Sequence, residues 1–282
     1  MNHPKASTEG RKLRVATWNV RGRQVGKGEL AQAGSISEIV RKYRPDVVCL
    51  QEVHFYDGKP DEQLVAELAA AGLVHFVGKP FSDSHLDEKA CLGIAIASVW
   101  PVTRSLVFTL TNPGLKASVH GESWTMHDKG MIGCKVESPD IGEVEVHSVH
   151  LFPFHEFRSV AQERDIENMW REFWTYVDSL GSSETVIVAG DYNEENREKV
   201  ASEWSSKQWQ FCVNKQVTTD WGISIDDVAV RPASEPMSIT IAPTFSDHHF
   251  VMADLCIQGK MPDGLAKASG MVAGYFKSKL HR

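Results

Sequence analysis

Val186-Ile187-Val188-Ala189-Gly190-Asp191-Tyr192-Asn193 is a short apolar run that stops on polar residues. A run this short, rich in β-branched side chains, reads as a buried strand rather than a helix. The pattern recurs on both sides of it. Arg14-Val-Ala-Thr-Trp-Asn19 closes on Asn19, Asp46-Val-Val-Cys-Leu-Gln-Glu52 on Glu52, and Val146-His-Ser-Val-His150 on His150. Asp226 interrupts Ile223-Ser-Ile-Asp226-Asp-Val, and Asp247 and His248 stand just before Phe250-Val-Met-Ala-Asp-Leu255. Strands that each place a polar residue at one rim of a packed sheet build a polar cluster on a rigid floor.

Further apolar runs at Leu92–Ala97 and Met131–Val136 add strands. Three helical patterns lie between the strands. Ser35-Ile-Ser-Glu38 is a capping box that opens a helix to about Tyr43. A second covers Asp61–Ala71, with Gly72 as its stop. The longest is expected from about Glu156 to Leu180, on a stripe that includes Phe157, Val160, Met169, Trp170, Phe173, Trp174 and Val177. Strands outnumber helices and do not alternate with them one for one. That predicts an α+β layered sandwich rather than a barrel of strand–helix units. Lacking a repeat or a Pro/Gly-rich linker, the chain reads as one domain over residues 14–258. Residues 1–13 are expected to be flexible, and residues 259–282 to form a basic amphipathic tail whose spacing reads as a helix.

The chain has 282 residues, 42% hydrophobic and 24% charged, the balance of an ordinary soluble protein. Its net charge of −7 excludes a general nucleic-acid coat, whose affinity comes from Lys and Arg, but not an enzyme that holds phosphate through a metal. No signal peptide or membrane-spanning run is seen, and the 5 cysteines are scattered without C-x-x-C spacing. A reduced, cytoplasmic protein is expected, without integral membrane association or an obligate protein partner.

The polar cluster has legible chemistry. Glu52, Asp191, Asp226 and Asp247 are hard oxygen donors suited to Mg²⁺ or Mn²⁺. Asn19 and Asn193 can hold phosphate oxygens or orient water without adding negative charge, and His150 and His248 can donate to phosphate or move a proton. The set suits in-line hydrolysis of a phosphoester. Taken singly, each residue also has an ordinary reading as a turn former, a strand end or a cap. Asp226 is the exception, because an unpaired carboxylate inside a strand costs several kcal/mol.

In order and wording, Thr-Trp-Asn19-Val-Arg-Gly, Leu-Gln-Glu52-Val, Val-His150-Leu, Gly-Asp191-Tyr-Asn193, Ser-Ile-Asp226 and Ser-Asp247-His248 resemble the signature blocks of the endonuclease/exonuclease/phosphatase superfamily. Gly93-Ile-Ala-Ile-Ala-Ser98 and Arg158-x-x-x-Gln162 resemble two weaker blocks, a strand and an Arg/Gln-bearing helix. The wording is nearer the tyrosyl-DNA phosphodiesterase 2, deadenylase and sphingomyelinase branches than the AP endonucleases. The latter usually follow their metal Glu with Thr-Lys, where this chain has Val53-His54.

The resemblance implies a DNase I-like four-layer α/β sandwich, with two packed, mostly antiparallel sheets flanked by helices. It implies Glu52 as principal metal ligand, with Asn19 and Asp247 nearby, for Mg²⁺ or Mn²⁺. Asp191 is expected to orient or deprotonate the attacking water, Asn193 to contact the scissile phosphate, and His150 to stabilise its developing charge. Asp226 is expected to fix His248; strand alternation sends Asp227 to the other face. Substrate choice is expected in loops. Residues 112–130, with Trp124, read as the longest irregular stretch, either functional or a solvated insertion. Phe152, Phe154 and Arg158 are candidate substrate contacts; the two Phe either stack a base or simply pack. His54, His85 and His249 read as peripheral. The leading function is a nuclease with nucleic acid as substrate. The alternative within the same chemistry is a hydrolase of lipid or small-molecule phosphoesters, and a binding protein that has lost catalysis is disfavoured because every expected catalytic position is filled.

Overall fold

Side chains alternate between the two faces of a strand, so each strand of this protein can be read as two sets. A computed structural model describes residues 11–24, 35–119, 121–180, 185–197, 208–213 and 215–257. The expectations for residues 1–10 and 258–282, including the basic tail, lie outside the described residues.

One sheet contains β1 (Arg11–Asn19), β2 (Val47–Tyr56), β4 (His75–Asp83), β5 (Cys91–Ser98), β14 (Ser238–Ala242) and β15 (Phe250–Ile257). Its order is β14-β15-β1-β2-β5-β4, with the short β3 (Lys59–Pro60) on β2. The other contains β6 (Val102–Thr109), β9 (Gly130–Ser138), β10 (Gly142–His150), β11 (Val186–Asp191), β12 (Gln210–Phe211) and β13 (Asp226–Arg231), in the order β12-β13-β11-β10-β9-β6. The pairs β1–β2 and β10–β11 are parallel; the other pairings are antiparallel.

Leu13 and Val15, Val47 and Cys49, and Ile94 and Ile96 face Val144 and Val146, Ile187 and Ala189, and Val228 and Val230 in one buried layer between the sheets. Residues of opposite parity, such as Trp18 and Leu50, pack beneath α1 (Ile36–Tyr43) and α2 (Glu62–Ala70) through Ile36, Val40, Leu64 and Leu68. On the far side, Val149, Val186 and Val188 pack against Met169, Trp170, Phe173 and Trp174 of α3 (Glu163–Ser179). The result is the expected helix–sheet–sheet–helix sandwich. Each fully buried aliphatic side chain contributes roughly 1.5–3 kcal/mol to holding the layers together.

Several boundaries differ from expectation. The long helix begins at Glu163, not Glu156; residues 154–160 form turns, and Val160 is exposed. Arg158 and Gln162 therefore precede the helix, with Gln162 as its N-cap, its backbone N–H donating to Asp165 at 3.0 Å. The stretch 112–130 is not irregular throughout: β7 (Lys116–Val119) and β8 (Glu122–Thr125) form a hairpin. The strand expected from Ile223 begins at Asp226. The capping box at Ser35 and Glu38 is present, and Gly72 follows α2 at φ +101°. All five cysteines are unpaired. No helix among the described residues is long and apolar enough to cross a membrane.

Candidate active site

Parity carries the polar strand ends to one place. Asn19 shares its face of β1 with Leu13 and Val15, and Asp191 shares its face of β11 with Ile187 and Ala189. His150 follows Val144 and Val146, and Asp226 precedes Val228 and Val230. All of them thus point into the space between the sheets, at its rim. Register aligns them further: His150 pairs with Asp191 across β10–β11, and Asp191 with Asp226 across β11–β13. Asn19 Nδ2 crosses from the first sheet to donate to Asp191 Oδ2 at 3.2 Å. Just below, Gln51 Nε2 donates to Ser148 Oγ at 3.1 Å, a second polar tie between the sheets.

Glu52 arrives by a different device. Gln51 pairs with Ile94 and Val53 with Gly93, so Glu52 is an extra residue in β2, a bulge with φ +52°. A bulge re-aims a side chain that alternation would otherwise send to the helix side, at a cost on the order of 1–3 kcal/mol in backbone strain. Arg21 sits in a short turn, Arg21–Arg23, and its guanidinium reaches Asp247 Oδ2 at 3.2 Å. Gly22 in that turn has φ +55°, and a Cβ there would lie 2.2 Å from the His54 ring, so only glycine fits. His54 is therefore a packing partner of this turn, away from the catalytic cavity.

Asp191 is the hub. Its Oδ2 lies 3.4 Å from His150 Nε2 and 3.8 Å from His248 Nε2, while Asn193 N–H donates to its Oδ1 at 3.0 Å. Burial raises the Asp191 pKa, with Asp226 adding to the rise and His248 opposing it. Behind it, Asp226 holds His248 Nδ1 at 3.0 Å. Burial disfavours a charged His248, but Asp226 and Asp191 outweigh burial and hold its pKa above the ordinary imidazole value. Its neighbour Asp227 faces the other way, where it pairs with Arg197 at 2.8 Å and accepts from the backbone N–H groups of Cys212 and Val213.

Lys129, at the end of the 112–130 stretch expected to govern substrate choice, is a cation of the catalytic cavity itself. Its ammonium lies 2.8 Å from His150 Nε2, and burial lowers its pKa while Glu52 and Asp191 pull it back up. Burial, then Lys129, keeps His150 well below the usual imidazole value, hence neutral. For Glu52, burial is outweighed by Lys129, His85 and His248, and its pKa falls.

Arg21, Glu52, Lys129, His150, Asp191, Asn193, Asp247 and His248 line a cavity of about 500 Å³, with Asn19 and Asp226 behind them. Its walls include Trp124 and His127 from the hairpin side, and His85, which stacks on His127 with ring centres 5.5 Å apart. His85 is therefore a wall of the site rather than peripheral to it. Trp221, which also lines it, is 49% exposed and stands edge-on to the His248 ring at 5.3 Å. No sequence pattern marks Trp221. Phe152 and Phe154 are core residues, 1% and 7% exposed, and do not present a face to this cavity; Pro153 and His155 do. Arg158 does not line it either.

Carboxylates, amides and imidazoles converging on one cavity are the chemistry of metal-assisted phosphoester cleavage. Asp191, Asp226 and His248 bring ligand atoms within 4.8 Å of one another, a spacing able to hold a divalent ion. The model of the endonuclease/exonuclease/phosphatase family matches residues 16–248. The chain belongs to the endonuclease/exonuclease/phosphatase family. Solved structures of similar fold span most of the chain. An endonuclease/exonuclease/phosphatase from Beutenbergia cavernae has TM-score 0.66 at 22% identity, covering 88% of this chain and 72% of its own. Truncated Caenorhabditis elegans TDP2 has TM-score 0.57 at 14% identity, covering 87% and 97%. A mannosyl-6-phosphatase from Bacteroides thetaiotaomicron has TM-score 0.54 at 14% identity, covering 86% and 99%. No curated protein matches in sequence. Family membership makes the chain a phosphoesterase, and the neighbours' different names leave the substrate class to the cavity itself.

Proposed function

We propose that the protein is a Mg²⁺- or Mn²⁺-dependent nuclease of the cytoplasm that hydrolyses phosphodiester bonds by in-line attack of water. The observation that carries the nucleic-acid reading is Trp221, half-exposed and edge-on to His248, in a cavity that Trp124 also lines. Indole faces stack on exposed bases of any sequence, whereas an acidic surface gives intact duplex little hold. The preferred substrate is accordingly a single-stranded, frayed or terminal phosphodiester.

Glu52 and Asp247 line the cavity with carboxylate oxygens, and the Asn19 amide oxygen, which accepts from Arg21 N–H at 3.1 Å, completes a hard donor set that fits Mg²⁺ or Mn²⁺. In Asp191–Asp226–His248, by contrast, His248 Nδ1 is already held by Asp226, and its Nε2 lies 3.8 Å from Asp191, so His248 acts there as an imidazolium between two carboxylates. Glu52, Asn19 and Asp247 would hold the divalent ion, which would supply Lewis acidity to a phosphate oxygen. Asp191 orients the attacking water and accepts its proton, as its raised pKa favours. His248, kept cationic by Asp226, donates from Nε2 to a phosphate oxygen. Asn193 is fixed by donating to Leu151 O at 2.9 Å and holds another, and Lys129 and His150 stabilise developing charge.

Kinetics on single-stranded, duplex and abasic oligonucleotides, a phosphoinositide, sphingomyelin, a sugar phosphate and bis-p-nitrophenyl phosphate test the proposal. Fastest cleavage of single-stranded or terminal DNA or RNA is expected. Turnover confined to a lipid or small phosphoester replaces the nuclease reading with the alternative, and fastest abasic incision refutes the branch assignment.

A further inference from the structure

Beside the catalytic cavity lies a smaller one of about 190 Å³. Asn193, His155 and Ile225 line both, so one layer of side chains divides them. The smaller cavity is walled by apolar groups: Phe152 and Phe154, edge-to-face at 6.0 Å, and Ile166, Met169 and Trp170 of the long helix. Charged residues mark its opening, the exposed Arg158 and Glu195 and the half-buried Glu194. Trp170 is 2% exposed, yet its indole N–H finds no hydrogen-bond partner among the described residues. The Trp174 and Trp209 indoles are unpaired as well, but of the three it is Trp170 that lines the cavity, where a ligand can supply an acceptor.

We propose that this second cavity is the base subsite of the same active site, holding the nucleobase of the nucleotide joined to the scissile phosphate. The inference rests on the nuclease reading and gives it a direction, since the base lies on the Asn193 side of the phosphate. A nucleobase is planar and apolar on its faces, as the aromatic walls require. Its edge carries ring-nitrogen or carbonyl acceptors for Trp170 N–H and, in most bases, an amine donor for Glu194 or Glu195. Other occupants fit less well. A second phosphate meets two carboxylates at the opening, and an alkyl chain leaves the indole N–H unpaired. Phe152, Phe154 and Arg158 thereby serve substrate recognition from outside the catalytic cavity.

Equilibrium binding tests the subsite without reference to turnover. Dissociation constants are measured with Mg²⁺ for thymidine 5′-monophosphate, methyl phosphate and octyl phosphate, on the wild type, Ile223→Trp and Trp170→Phe. Ile223 is a half-buried lining residue, and tryptophan there fills the cavity. Trp170→Phe keeps a ring and removes the N–H. The wild type should bind the nucleotide at least tenfold more tightly than methyl phosphate. Ile223→Trp should erase that gap and Trp170→Phe should narrow it. Equal binding in the wild type, a gap that survives Ile223→Trp, or tighter binding of octyl phosphate than of the nucleotide overturns the subsite. If the gap is present and responds to both variants while no oligonucleotide is hydrolysed, the nuclease reading fails and the base subsite stands.

Discussion

Replacing Asp226 with Asn separates a catalytic carboxylate from its structural neighbour. The Asp226 carboxylate lies 3.0 Å from His248 Nδ1. At that distance, with an effective dielectric of about 20, the attraction for an imidazolium is on the order of 5 kcal/mol. Burial of the ring opposes it and returns part of that gain. A net loss of roughly 3 kcal/mol of transition-state stabilisation is expected, about 10²-fold in kcat. The pH profile provides a sharper readout. Asp226 raises the His248 pKa, so the cation persists above the ordinary imidazole range and is lost only as pH rises through the elevated value. Asp226→Asn lowers that value, and the alkaline limb of the kcat profile should move toward neutrality. Hydrolysis of bis-p-nitrophenyl phosphate with Mg²⁺, followed across pH for Asp226→Asn, His248→Ala and the double variant, measures both effects. The double variant should be little worse than either single one. An unmoved alkaline limb refutes the reasoning. So does a silent Asp226→Asn beside a catalytically crippled but stable Asp227→Asn.

Asp227→Asn should act on stability, because it leaves Arg197 buried without its 2.8 Å partner. A loss of about 3 kcal/mol, or roughly 6–12 °C in Tm, is expected by thermal melting. EDTA should abolish hydrolysis and Mg²⁺ or Mn²⁺ restore it, and Glu52→Gln should lower kcat by about 10²-fold with the melting curve little changed; full activity in chelator refutes the metal. Gly22→Ala drives a Cβ to 2.2 Å from the His54 ring at φ +55°. It should cost more than about 1 kcal/mol in denaturant melts and lower activity by displacing Arg21. Trp221→Ala should raise KM for single-stranded oligonucleotides about tenfold and leave that for bis-p-nitrophenyl phosphate nearly unchanged; equal effects on both substrates argue against stacking.

The layered sandwich was legible because its central strands are short, β-branched and buried on both faces. Asn19, His150, Asp191 and Asp226 were legible for a related reason: each shares parity with core residues of its own strand, so a polar side chain there had to meet others at the rim. Glu52 was legible as the polar end of an apolar run but not in its direction, since strict alternation would have turned it toward the helices and a bulge intervenes. The edge strands β4, β6 and β14 went unseen because much of their surface is exposed and their sequences mix polar and apolar residues. The start of the long helix was misjudged because Phe157 is buried by a turn and so extends the apolar stripe beyond the helix. Lys129 was legible only as part of the 112–130 stretch, and His85 and Trp221 reach the cavity through long-range packing that no local pattern encodes.

The Asn19–Asp191 and Gln51–Ser148 ties make the site answerable to the alignment of the whole sandwich. Part of the constellation hangs from one sheet and part from the other, so a slide of one layer over its neighbour by a fraction of an ångström changes catalytic distances while leaving every strand intact. Any heating that loosens this interlayer registry disturbs the site before either sheet melts. Enzymatic activity in this architecture should therefore fade at temperatures where the backbone is still folded, and return on cooling.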